Sequence, residues 1–220
     1  GFTANRNNGL LCGIADELEK QGIASIRFDF NGHGESEGDF QRMTVPNEIE
    51  DALHVYNWVK ADSRFGKIGI AGHSQGGVVT SMLAGKLGKK AFRGGVVLLA
   101  PAGVIRDDAI RGAFAGTSFD GADPLDPPEY VEVWGHHLGR EYITSAFWLP
   151  IYETAAGYKG RACIIHGTAD RLVPYTYGLR FHQLWKKSEW HLLDRYDHGF
   201  GPNPEGAVKL AATFFCKELK

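Results

Sequence analysis

An α/β doubly wound architecture with a mostly parallel sheet is the fold class that this 220-residue sequence predicts. The prediction rests on short runs that are apolar at every position, on helical periodicity between them, and on glycine-rich turns at the junctions. A strand apolar on both faces is covered on both sides, and a helix between two such strands is the crossover that parallel pairing requires.

Leu10, Leu11, Ile14 and Leu18 recur at helical steps and stop at Gly22, which predicts a helix over 8–21. Ala24 to Phe30 then predicts a strand, broken by the turn-rich run Asn31-Gly32-His33-Gly34. Thr44 and Pro46 mark the start of a second helix, whose inner face is Ile49, Ala52, Leu53, Tyr56 and Val59. Lys67 to Gly72 is expected to be a short buried strand, 75–88 a helix of small residues, and Val96 to Leu99 an unalternating strand. Ala162 to Ile165 and Trp190 to Leu193 add two strands, and Val208 to Leu219 closes the chain as a helix.

One interval breaks this rhythm. Pro101 to Gly160 is 60 residues long, whereas a crossover needs only about 10–20 residues beyond its turns. The segment carries nine aromatic residues, and nine acids against four bases. Long ordered insertions tend to cover sites at strand ends, so residues 1–100 and 161–220 are expected to form the core and 101–160 an inserted lid subdomain. A helical excursion with its own small core is the plainer alternative.

Composition narrows the function. Apolar residues make up 43% of the chain, and 24 Lys and Arg stand against 26 Asp and Glu, a net charge of −2. A balance this even supplies no field for a phosphate backbone or an anionic membrane surface. The most apolar stretch, Val96 to Ile105, is about half a bilayer span and is interrupted by Pro101 and Gly103. Cys12, Cys163 and Cys216 are odd in number and unpatterned, which predicts buried, reduced thiols. His136-His137 has no carboxylate or Cys at ligand spacing, and Gly32-His33-Gly34 lacks the third glycine of a dinucleotide loop, so neither metal nor nucleotide is expected. The opening residues Gly1 to Asn8 show neither an initiator Met nor the order of a secretion signal. The chain therefore reads as lacking its natural start; a cytoplasmic protein is expected, with a leader peptide left open.

The chemistry is carried by Gly72-His73-Ser74-Gln75-Gly76, which fits G-x-S-x-G between a predicted strand and a predicted helix. Glycines at 72 and 76 would let a tight turn present Ser74 in a strained conformation. A serine hydroxyl needs a base to take its proton and a carboxylate to orient that base. With this elbow, acid and His follow in that order, each in a loop after a strand. Asp170 lies just past the strand at 162–165 and His198 just past that at 190–193. Asp197 is the rival acid, disfavoured because adjacent side chains usually point apart. Two backbone N–H groups are expected to form the oxyanion hole, that of Gln75 and, from the loop before the first helix, that of Phe2.

Five stretches carry a family resemblance: Gly1 to Asn7, Ile23 to Gly34, Gly72 to Val79, Leu149-Pro150-Ile151-Tyr152-Glu153, and His166-Gly167-Thr168-Ala169-Asp170. On these the chain resembles, essentially end to end, the bacterial cinnamoyl or feruloyl esterases of the α/β-hydrolase superfamily. The resemblance implies an α/β-hydrolase fold with a small lid and no cofactor. It implies hydrolysis of ferulate, caffeate or p-coumarate esters through an acyl-enzyme on Ser74, with His198 as base and Asp170 as its orienter. In that family the tyrosine corresponding to Tyr152 looks like a partner for the phenolic hydroxyl. The expected partner is a small aromatic ester, with a homodimer left open. A general short-chain carboxylesterase, a thioesterase, a serine oligopeptidase and a non-enzymatic scaffold of the same fold are the alternatives.

Overall fold

Polar side chains start the first two helices. Asn8 accepts from the Leu10 N–H at the head of α1 (Gly9–Glu19), and Thr44 accepts from the Asn47 N–H at the head of α2 (Val45–Ala61). The computed structural model, which describes residues 1–119, 123, 125–201 and 203–220, continues with β1 (Ile70–His73), α3 (Gln75–Leu87) and β2 (Val96–Leu99). The segment after β2 holds α4 (Ile105–Ile110), the hairpin β3 (Ala113–Phe114) and β4 (Thr117–Ser118), a second hairpin β5 (Tyr130–Val133) and β6 (His136–Gly139), then α5 (Arg140–Phe147) and α6 (Ile151–Ala155). The chain closes with β7 (Ala162–Gly167), α7 (Tyr175–Leu184), β8 (Ser188–Leu193) and α8 (Glu205–Leu219).

The main sheet has the order β1-β2-β7-β8 and is parallel throughout, with Val96 beside Ile70 on one side and Ala162 on the other. Every residue of β2 and β7 is buried, as the unalternating runs predict. Alternate side chains serve two cores. Leu98 and Ile164 face a layer that includes Ile49 of α2 and Leu83 of α3, while Leu99 and Ile165 face Leu10 and Ile14 of α1 and Ala211 of α8. All the sheet crossovers therefore leave the same strand ends open, where the loops carrying Ser74, Asp170 and His198 emerge.

Three expectations are corrected. Residues 24–30 form no strand: none of the described strands pairs with them, and Ile26 and Phe28 line, with Ile68 and Ile70, a groove of about 660 Å³. The strand expected from Lys67 is ordered as strand only from Ile70 to His73. Of the cysteines, Cys163 is buried, but Cys12 and Cys216 are half-buried; all three are free. Among the described residues no helix is long and apolar enough to cross a membrane.

Helices α3 and α6 approach so closely that a Cβ on Gly85 would lie 2.0 Å from the carbonyl oxygen of Thr154. Gly85→Ala is expected to force these helices apart and to lower unfolding free energy by about 1–3 kcal/mol. Urea denaturation checks this, with the midpoint falling and the slope unchanged.

Candidate active site

Ser74 is placed by a reversal of direction between β1 and α3. Its backbone adopts φ 58° and ψ −123°, a region that costs a non-glycine residue energy and is held by the surrounding structure. Gly72 makes the reversal possible, since a Cβ there would sit 2.0 Å from the Gly76 carbonyl oxygen. Gly76 itself has more room than the motif suggests, with only the Gly1 nitrogen within reach at 3.9 Å, and the second tight position is Gly77, whose Cβ would meet Pro101 Cα at 2.9 Å.

The structure brings the three residues of the expected triad together. His198 Nε2 lies 2.8 Å from Ser74 Oγ, and His198 Nδ1 lies 2.7 Å from Asp170 Oδ2. With the Nδ1 proton held by the carboxylate, Nε2 keeps the lone pair that accepts the serine proton. Asp170 is further fixed by the N–H groups of Leu172 and Val173, which donate to Oδ1 at 3.0 and 2.8 Å. Burial alone would raise its pKa, but hydrogen bonds from His166, His198 and the Val173 N–H hold it well below the usual carboxylate range. Asp197 has a different task, its Oδ1 accepting from the N–H groups of Gly199 and Gly201 at 3.0 and 2.7 Å and so shaping the loop that presents His198.

Two histidines support this arrangement without having been singled out in the sequence. His166 Nε2 approaches Asp170 Oδ2 at 3.1 Å and the Val173 carbonyl at 2.9 Å. His73 Nε2 donates to the His198 carbonyl at 2.8 Å. Burial, joined by nearby positive charge, pushes His73 down to about 3, so it acts as a neutral donor. The signal available in the sequence was adjacency alone, His73 beside the nucleophile and His166 at the end of its strand.

A cavity of about 180 Å³ opens beside Ser74. Phe2, Thr3 and Gln75 line it, as do Val104, Ile105, Asp108, Phe114 and Trp134 from the insertion and Leu172, Val173 and His198 from the later loops. Gln75 is the first residue of α3, where an N–H has no acceptor within its own helix. Phe2 is buried, and its ring packs against Phe40, Phe114, Trp134 and Tyr142. Asp108, missed in the sequence, is the cavity's acid: it accepts from Arg111 and from the Ala115 N–H, and burial raises its pKa against the pull of Arg111. Tyr152 is not brought to the cavity. Its hydroxyl donates to the Tyr177 carbonyl at 2.9 Å and its ring packs on Phe181, because α6 turns it toward α7.

Cys163, Glu189 and His191 bring potential ligand atoms within 4.8 Å of one another. Arg161 and Lys217 already occupy Glu189, and burial pushes the Cys163 thiol up to about 12, so the group is a thiol beside an ion-pair cluster.

A strained serine at a strand-to-helix elbow, on a parallel sheet that also carries its His and Asp, defines a serine hydrolase of the α/β-hydrolase superfamily. The chain belongs to the Hydrolase_4 family, described as serine aminopeptidase, S33, whose model matches residues 5–118. Among solved structures it is similar to Est1E from Butyrivibrio proteoclasticus with ferulic acid bound, at TM-score 0.93 and 26% identity, over 99% of this chain and 86% of that one. A monoacylglycerol lipase from Paleococcus ferrophilus shares the fold at TM-score 0.69 and 18% identity, over 93% of this chain and 88% of that one. Among curated proteins, lysophosphatidylserine lipase ABHD12 of Gallus gallus is 33% identical over 175 residues, which are 76% of this chain but 41% of that protein. An uncharacterized 31.7 kDa protein of Escherichia coli is 37% identical over 79 residues, 35% of this chain and 27% of that protein. The chain thus spans less than half the length of these two curated relatives.

Ser74→Ala is expected to lower ester turnover by several orders of magnitude with the fold retained. Asp170→Asn should be nearly as damaging, whereas Asp197→Asn should be mild because an amide oxygen still accepts from Gly199 and Gly201. Steady-state kinetics on the three variants check the order.

His73 generates a second expectation. In the unfolded chain it takes up a proton near 6.5, but in the folded protein only near 3. Between those values the unfolded state binds more protons, so this group makes stability rise with pH and fall on acidification. Denaturation at several pH values should show a shallower dependence in His73→Asn than in the natural sequence, by no more than about 1.4 kcal/mol per pH unit.

Proposed function

We propose that this protein is a carboxylic ester hydrolase acting on esters of hydroxycinnamic acids. The observation that carries the reading is the cavity beside Ser74, which joins aromatic walls, Phe2, Phe114 and Trp134, to one buried carboxylate, Asp108. A flat acyl group with a polar tip calls for both. The size argues the same way: about 180 Å³ is below the roughly 300–1,000 Å³ of pockets for larger ligands and suits one short acyl group better than a long lipid chain. The likeness to Est1E with ferulic acid bound supports it.

In this reading Ser74 Oγ attacks the ester carbonyl as His198 Nε2 takes its proton, and the Phe2 and Gln75 N–H groups receive the oxyanion. His198 returns the proton to the departing alcohol, and water repeats the sequence on the acyl-enzyme. The insertion serves as the lid over the acyl group. The phenolic hydroxyl meets Asp108 rather than Tyr152, which instead fixes Tyr177, whose hydroxyl donates to Asp107 at 2.7 Å. An acid in the cavity lining would also receive the α-amino group of a peptide, the substrate type named in the family description, so amide substrates form the second arm of the test.

With methyl ferulate, methyl cinnamate, an aliphatic ester and an aminoacyl amide compared side by side, methyl ferulate is expected to be turned over best. Asp108→Asn should cost about 1–2 kcal/mol in kcat/KM on methyl ferulate and much less on methyl cinnamate. Equal losses would mean that Asp108 only folds the neighbouring hairpin, and preference for the amide would replace the reading with an aminopeptidase.

A further inference from the structure

Two ionisable groups buried against the oxyanion loop take no part in the steps above: His33, 3% exposed, and Glu48, 2% exposed. His33 Nε2 lies 2.8 Å from the carbonyl oxygen of Phe2, and Nδ1 lies 3.2 Å from that of Asn31. A carbonyl oxygen only accepts, so a ring nitrogen that bonds to one must carry a proton. A neutral imidazole has one N–H and satisfies one of these carbonyls; satisfying both takes the imidazolium.

A buried cation requires a counter-charge. Glu48, on the first turns of α2, places Oε1 3.8 Å from His33 Nε2, and neither of its carboxylate oxygens has a hydrogen-bond partner among the described residues. We propose that His33 is held as an imidazolium paired with Glu48, and that the pair is a positioning device that clamps the Phe2 loop for oxyanion stabilisation. Its catalytic part rests on the serine-esterase reading; the protonation state of His33 does not.

Burial pushes the Glu48 carboxyl up to about 7, against the pull of the Gly1 amino group and the Gln75 side chain. The two carbonyl oxygens call for a proton on each ring nitrogen of His33. Other titratable groups face the pair from each packed element. Asp51 of α2 accepts from the Asn31 N–H, and Tyr142 of α5 donates to the Gln75 side chain of α3, which lies against Glu48. The amino group of Gly1 lies in the first loop, and His136 of β6 stands beyond Phe40, whose ring packs on His33. The side chain of Gln75, whose N–H is the other oxyanion donor, thus lies against the buried carboxylate.

The test is ¹⁵N-resolved NMR of the histidine rings of the whole chain at pH 7.5, where a free imidazole is roughly 90% neutral. One ring should show protons on both nitrogens, and that signal should vanish in His33→Gln, which assigns it. In Glu48→Gln the buried cation loses its partner, so the same ring should revert to a single N–H. A neutral His33 ring in the natural sequence at pH 7.5 overturns the pairing, whatever the substrate proves to be. For the catalytic part, Glu48→Gln should lower kcat about 10- to 100-fold with KM nearly unchanged, less than the roughly 100- to 1,000-fold seen when an oxyanion donor is removed outright. An unchanged kcat beside a confirmed imidazolium would reduce the pair to a structural one and overturn the positioning role, whereas absence of any ester turnover would count against the esterase reading and leave the NMR result standing.

Discussion

The close approach of Gly72 to the Gly76 carbonyl is the constraint from which the rest of the site follows. Because strand and helix meet with no room for a side chain, β1 must end where α3 begins, and Ser74 is left at the tip with positive φ. Its carbonyl is not wasted on the turn: it accepts from the N–H groups of Gly77 and Ala102, tying the elbow to the start of the insertion. The Ser74 N–H donates to the Leu99 carbonyl, so the strained residue is stitched to the neighbouring strand on one side and to the loop after it on the other. Such multiple anchoring is what keeps an unfavourable backbone conformation populated.

From that fixed point the catalytic groups need only reach inward. Asp170 and His198 come from loops at the same end of the parallel sheet, and each has its own support: Asp170 is held by two backbone N–H groups and His166, and His198 by His73, while Phe2 in the loop beside the nucleophile is held by His33. The base, its acid and the Phe2 loop thus rest on three further histidines that do not touch the reacting atoms directly. Imidazole suits this work because it is rigid, compact and able to donate to a carbonyl while buried.

Much of this was legible in the sequence. The unalternating runs at 96–99 and 162–165 revealed the buried strands, and the elbow with its following Asp and His revealed the triad, because both rest on local rules of spacing. What the sequence did not reveal depends on pairing at a distance. Ala24 to Phe30 has strand composition, yet a strand exists only where a neighbour pairs with it, and none of the described strands does. Glu48 occupies a position on the buried side of α2 that a pattern of apolar residues gives no reason to expect. Asp108 lines the cavity and Tyr152 lies off it for the same reason: which side chain of this segment enters the cavity is settled by how α4 and α6 pack, not by residue type.

Phe2 belongs at once to two parts of the molecule. Its backbone sits in the loop beside the nucleophile, while its ring is locked among Phe114, Trp134 and Tyr142 of the insertion. In evolutionary terms the two properties that such an enzyme adjusts, what it accepts and how fast it turns it over, are mechanically linked through one residue. A lineage that remodels residues 101–160 also shifts the loop beside the nucleophile, so viable changes should come as compensated sets around Phe2 rather than singly.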